Sequence, residues 1–140
     1  KWLIIEFEHI LLTQILMSNI VFTQLDEFIK EFKKISKKIP SLDEDLELLK
    51  RFLTEKPDGY LNNIVQISNL GEEIVIPIYK VRKFACKYLK DNKSIRLIYA
   101  YKKDSNCIDL IEIEMVEIYQ KNQKDNHNIE RIIKYYGNNQ

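Results

Sequence analysis

At 140 residues, 45% hydrophobic and 31% charged, the chain has the size and composition of one soluble domain, with enough residues for a single core and too few for two. Most multi-domain enzymes are excluded. Twenty-two Lys and Arg against twenty-one Asp and Glu leave a net charge of +1, which by itself points to neither nucleic acid nor an acidic partner. Between Ile76 and Asp104, however, nine basic residues stand against two acidic ones, a local +7 that leaves −6 for the remainder.

Lys1 to Leu16 is apolar but interrupted by Glu6, Glu8 and His9, so it reads neither as a secretory signal nor as a spanning helix, which needs roughly twenty apolar residues. Met17 opens the run MSNIVFT, and the folded domain is expected over 17–140, with 1–16 an extension outside it or, as the alternative, an extra strand or helix packed on it. Asn19 to Phe22 is a short strand-like run, after which Thr23 is placed to cap a helix. Leu25, Phe28, Ile29, Phe32 and Ile35 then fall at helical spacing, with Lys30, Lys33, Lys34, Lys37 and Lys38 on the outer face. Pro40 ends that helix. Ser41 to Glu44 has the form of a capping box and starts a second helix, with Leu42, Leu46, Leu49 and Phe52 or Leu53 inward. Pro57-Asp58-Gly59 marks the turn that closes this helical hairpin.

Beyond it the period becomes strand-like. Ile74–Arg82, Ser94–Tyr101 and Ile108–Tyr119 predict an antiparallel meander, with bends at 91–93 and 104–106. In the last of these, Ile111, Ile113 and Met115 alternate with Glu112 and Glu114, but Val116 and Ile118 take the opposite parity, so a β-bulge near Met115 is expected. Gln120 to Asn128 is a polar loop, and Ile129 to Tyr136 a short helix with Ile129, Ile132, Ile133 and Tyr136 inward. The fold class is α+β, with the helices on one face of an antiparallel sheet. Cys86 and Cys107 show no metal-ligand spacing and are expected as free thiols of a reducing cytosol, although one disulfide between them is an alternative. His9 and His127 lie too far apart in sequence to suggest a local metal motif.

The blocks Ile78-Tyr-Lys-Val-Arg-Lys-Phe-Ala-Cys-Lys87, Ile95-Arg-Leu-Ile-Tyr-Ala-Tyr101 and Glu117-Ile-Tyr-Gln-Lys121, in this order and spacing, resemble the RelE/ParE superfamily of bacterial type II toxins. Ser41 to Leu49 and Ile129 to Ile132 sit where that family has its second helix and C-terminal element. The resemblance covers about Asn19 to Tyr136. It implies a cytoplasmic messenger-RNA endoribonuclease that works in the ribosomal A site without metal or cofactor, is blocked by a cognate antitoxin, and has no membrane association. It leaves open a gyrase inhibitor of the ParE type, or a catalytically silent antitoxin-binding relative.

Cutting RNA through the neighbouring 2′-OH requires a base, cations for the crowded phosphate, and an acid for the departing 5′-oxygen. Lys80 and Arg82 are two apart on a strand and share a face, and Arg96 on the next strand can pair beside them. Lys80 is the candidate base, Arg82 and Arg96 the phosphate ligands, and His127 or Tyr136 the acid or a base-stacking group. Lys33, Lys34, Lys37, Lys83, Lys121, Lys124 and Arg131 are candidate RNA-backbone contacts. Each has a plainer reading. Lys80 and Arg82 suit an edge strand's protective charge, Arg96 an ion pair, His127 a solvated loop, Tyr136 a core anchor, and the helix lysines a solvated surface.

Overall fold

The computed structural model describes residues 19–59, 63–84, 94–103 and 110–137. The stretch 1–16, Met17, Cys86 and Cys107, the lysines at 87, 90 and 93, and both expected bends lie outside the described residues. Strand β1 (Ile20–Gln24) leads into helices α1 (Asp26–Ser36) and α2 (Leu42–Glu55). Strands β2 (Ile64–Gln66), β3 (Ile78–Phe84), β4 (Ile95–Lys103) and β5 (Ile111–Gln120) follow, and helix α3 (Ile129–Tyr136) is the last element.

The α+β class holds, with a correction to the sheet. Its order is β1-β5-β4-β3-β2, and β2 to β5 form an antiparallel meander. β1 runs parallel to β5, with Ile20 opposite Ile111 and Gln24 opposite Met115, so the sheet is mixed. Consecutive strands with short links must run antiparallel, whereas a strand separated from its neighbour by most of the chain can run either way. The three-residue strand β2 was not expected, and β3 begins at Ile78 rather than at Ile74.

Helices α1 and α2 pack on the sheet face that carries Val81, Leu97, Tyr99, Ile113, Met115 and Ile118, all buried with Phe28, Leu42, Leu46 and Leu53. Each such side chain contributes about 1.5–3 kcal/mol when fully buried. Strand alternation sends Lys80, Ile98, Ala100, Glu114 and Glu117 to the other face. There α3 lies, its Tyr136 hydroxyl donating to Glu114 at 2.6 Å, so the helices are not collected on one face. Ile132 and Tyr136 point inward as expected, but Ile129 and Ile133 are 44% and 42% exposed.

Two expected caps are replaced. Leu25 N–H still pairs with the Met115 carbonyl, which keeps Thr23 inside β1; the Thr23 hydroxyl donates to Glu112, and Leu25 precedes α1 without a side-chain cap. Ser41 already has helical backbone angles, and its hydroxyl turns to Asp45 at 3.2 Å instead of capping α2. The expected bulge is present: Ile98 pairs with Glu117 and Tyr99 with Met115, which leaves Val116 as the extra residue.

β1 covers β5 only as far as Met115, and side chains complete the edge beyond. Arg131 of α3 donates to the Val116 carbonyl at 2.9 Å and grips Glu31 of α1 with two hydrogen bonds of 2.9 and 3.0 Å. Glu31 in turn accepts from the Ile118 N–H at 3.4 Å. Backbone groups left bare by β1 are thus satisfied by one ion pair, as buried polar groups require.

The turn after α2 depends on glycine. Gly59 has φ +64°, and a Cβ there would lie 2.2 Å from Ile64 Cγ2 and 2.7 Å from the Tyr99 hydroxyl. Gly59→Ala is expected to destabilise the protein by about 2–4 kcal/mol, through left-handed strain and overpacking together. Urea unfolding should show a lower midpoint with an unchanged slope.

Candidate functional site

On the α3 face, one end of the sheet gathers charge. Lys80, Ile98 and Glu117 lie in one row across β3, β4 and β5, and Arg96 pairs with Tyr119 one step further along. Arg82, two residues from Lys80, is exposed at the same end. The pairing of β3 with β4 slips between Val81 and Phe84, the stretch that holds the Arg82 carbonyl. The Arg96 guanidinium takes that carbonyl and also donates to the Ser94 hydroxyl at 2.6 Å. With five N–H donors in a planar fork, Arg96 keeps capacity for an anion while it ties the two strands. Among the described residues, the partners of its side chain are a carbonyl and a hydroxyl rather than a carboxylate.

The floor of the site is Glu117, 1% exposed. A buried carboxylate is costly unless its oxygens are occupied. Lys124 Nζ forms an ion pair with Oε2, and the Asn128 N–H donates to Oε1 at 2.8 Å. Asn128 also caps α3, its side chain accepting from the Arg131 N–H at 3.0 Å. Glu117 therefore gathers the loop between β5 and α3. That loop places Asn126 against Lys80, whose Nζ donates to Oδ1 at 3.4 Å, and half-buries His127 beside it. Lys124 also stands over the Tyr119 ring, 5.6 Å from its centroid.

The electrostatics follow from this crowding. Burial lowers the Lys80 ammonium below the ordinary lysine range, helped by Arg82 and Arg96 and opposed by Glu117. Burial also holds His127 below the ordinary 6.5, with Lys80 and Lys124 acting the same way and Glu117 against them. Its Nδ1 is enclosed and has no hydrogen-bond partner among the described residues, so proton exchange with a ligand falls to Nε2. Tyr119 is pushed up to about 12 by burial and by Glu117, partly offset by Arg96.

The structure thus brings together Lys80, Arg82, Arg96, His127 and Lys124, and adds Glu117, Tyr119 and Asn126. Tyr136 does not join them. It sits at the other end of the face, bonded to Glu114 beneath Lys102, and burial raises its pKa first and the Glu114 bond second. Arg131 is occupied by Glu31 and the Val116 carbonyl. Lys83 lines a groove on the α2 side with Asp45 and Leu49. Lys33 and Lys34 are exposed on α1 and Lys37 just past its end; Lys121 is exposed just past β5, its N–H donating to the Ser94 carbonyl.

Among the described residues, no group of three His, Cys, Asp or Glu side chains could hold a metal ion, and no helix is long and apolar enough to cross a membrane. Comparison of the chain with family models, with curated proteins and with solved structures finds no match.

Because His127 is kept neutral in the fold, the unfolded chain takes up its proton first as pH falls. Stability is fully present above the unfolded value of about 6.5 and is lost as pH falls from there towards the folded value. Urea midpoints measured at pH 7.5 and 5.5 are expected to drop more for the native protein than for His127→Gln, a difference in which the other titrating groups cancel.

Proposed function

We propose that this chain is a RelE-like toxin: a metal-independent endoribonuclease that cuts messenger RNA on the ribosome and is held in check by an antitoxin in the cytoplasm. The observation that carries the reading is the convergence of Lys80, Arg82 and Arg96 with His127 around one exposed end of a sheet face. Such a cluster suits a phosphodiester: the two arginines offer forked donors to the phosphate oxygens, and charge accumulating in the transition state meets cations already in place.

The proton inventory favours an exchange of roles relative to the sequence-based assignment. A neutral imidazole is the better acceptor for the 2′-OH proton, and a lysine with a lowered pKa is a better donor to the departing 5′-oxygen than an ordinary one. In this scheme the 2′-oxygen attacks phosphorus, the 5′-oxygen leaves with a proton from Lys80, and the products are a 2′,3′-cyclic phosphate and a free 5′-hydroxyl. Tyr119, fixed under Lys124 and protonated at neutral pH, supports the arginines rather than moving a proton.

Induced expression with primer-extension mapping tests the reading. Cuts recurring with codon periodicity in translated messages support it; growth arrest with DNA damage and intact messages would instead identify a gyrase poison, and an inert protein that still binds an antitoxin a silent relative. Arg82→Ala combined with Arg96→Ala should abolish cleavage while the protein remains folded by circular dichroism. Lys80→Met and His127→Gln should each lower the cleavage rate by about 10²–10⁴-fold. His127→Gln should also remove the acidic limb of the pH–rate profile, and an unchanged limb would return the base role to another group.

A further inference from the structure

A cleft of about 230 Å³ opens between the end of α1 and the end of β5, where β1 no longer covers the sheet edge. Ile35, Ile118 and Tyr119 give it apolar and aromatic walls. The side-chain amides of Gln120 and Gln123 stand beside them, and Lys34, Lys38 and Lys124 supply cations. Tyr119 and Lys124 belong equally to the Lys80 cluster, so cleft and cluster form one continuous surface.

We infer that this cleft seats one nucleobase, with its phosphate on Lys34 and Lys38, from the RNA strand presented to Lys80; the inference rests on the nuclease reading for the identity of the strand. Size selects a single ring system, since the volume lies below the roughly 300–1,000 Å³ of sites for drug-sized ligands. Lining chemistry selects a base: an aromatic and aliphatic wall for stacking, with amides that both donate and accept along a base edge, is how single-stranded RNA is read. Charge selects a phosphate. Among the described residues no carboxylate lies within ion-pair distance of Lys34 or Lys38, and Glu31, the one acid lining the cleft, is spent on Arg131. An anion meeting those two lysines therefore finds them unneutralised.

The test is an NMR titration of the full chain with adenosine 5′-monophosphate, with inorganic phosphate as the control. The nucleotide should shift the side-chain amides of Gln120 and Gln123 and the methyls of Ile35 and Ile118, whereas phosphate alone should leave the methyls in place. Lys34→Glu with Lys38→Glu should weaken nucleotide binding by about tenfold or more and flatten its dependence on salt. Gln123→Leu should weaken it without changing the salt slope. The inference is overturned if the nucleotide moves these resonances no more than phosphate does, if the double variant binds equally well, or if an acidic peptide competes on equal terms. If the nucleotide seats here and no RNA is cut, the nuclease reading fails and the base site stands; if RNA is cut and the nucleotide does not seat, the base site alone fails.

Discussion

The site depends on one buried charge. Glu117 is a carboxylate enclosed under a loop, and a carboxylate in that position must find a cation and a hydrogen-bond donor or remain unfavourable by several kcal/mol. Lys124 and the Asn128 N–H answer both needs, and in doing so they fold the loop down onto the sheet. Asn126 and His127 ride on that loop, which is why they end beside Lys80. The Asn128 N–H also precedes α3, so the same carboxylate sits at the positive end of the helix that covers this face.

The second constraint is the uneven reach of β1. It pairs with β5 for five residues and stops, and the rest of the β5 edge is closed by Arg131 and Glu31 from opposite sides of the sheet. The same two helices meet again where the Tyr135 hydroxyl donates to Glu27, at 2.7 Å in its shorter contact. α1 and α3 therefore grip the strand between them, and the cleft lies just past that grip. The edge that is satisfied by side chains is also the edge at which the cleft opens.

The two main helices and strands β3 to β5 were legible in the sequence because each is a patterned run of seven or more residues. The parallel placement of β1 was not, since pairing between Ile20 and Ile111 leaves no local trace. Thr23 looked like a cap because its residue type suits one, and only the pairing of Leu25 with Met115 keeps it in the strand. Ile129 and Ile133 were assigned inward because α3 is too short for its apolar positions to single out one face. At the site, Lys80, Arg82 and Arg96 could be grouped from strand alternation alone. Nothing local separates Tyr119 from Tyr136 as an aromatic neighbour of the basic cluster; the register does, by setting Tyr119 opposite Arg96. Nothing local sets Glu117 apart from Glu112 and Glu114, and its burial appears only once a helix and a loop have folded over that row.

The extra residue at Val116 gives β5 two phases. Before it, odd-numbered side chains enter the core under α1 and α2; after it, Ile118 does so, while Glu117 and Tyr119 turn to the opposite face. A strand in one continuous phase would send Ile118 out among the charges and Glu117 under the helices. Strand β5 can thus absorb changes of residue far more readily than changes of register: pairing Val116 into the ladder would exchange the interior for the site along the last four positions of the strand.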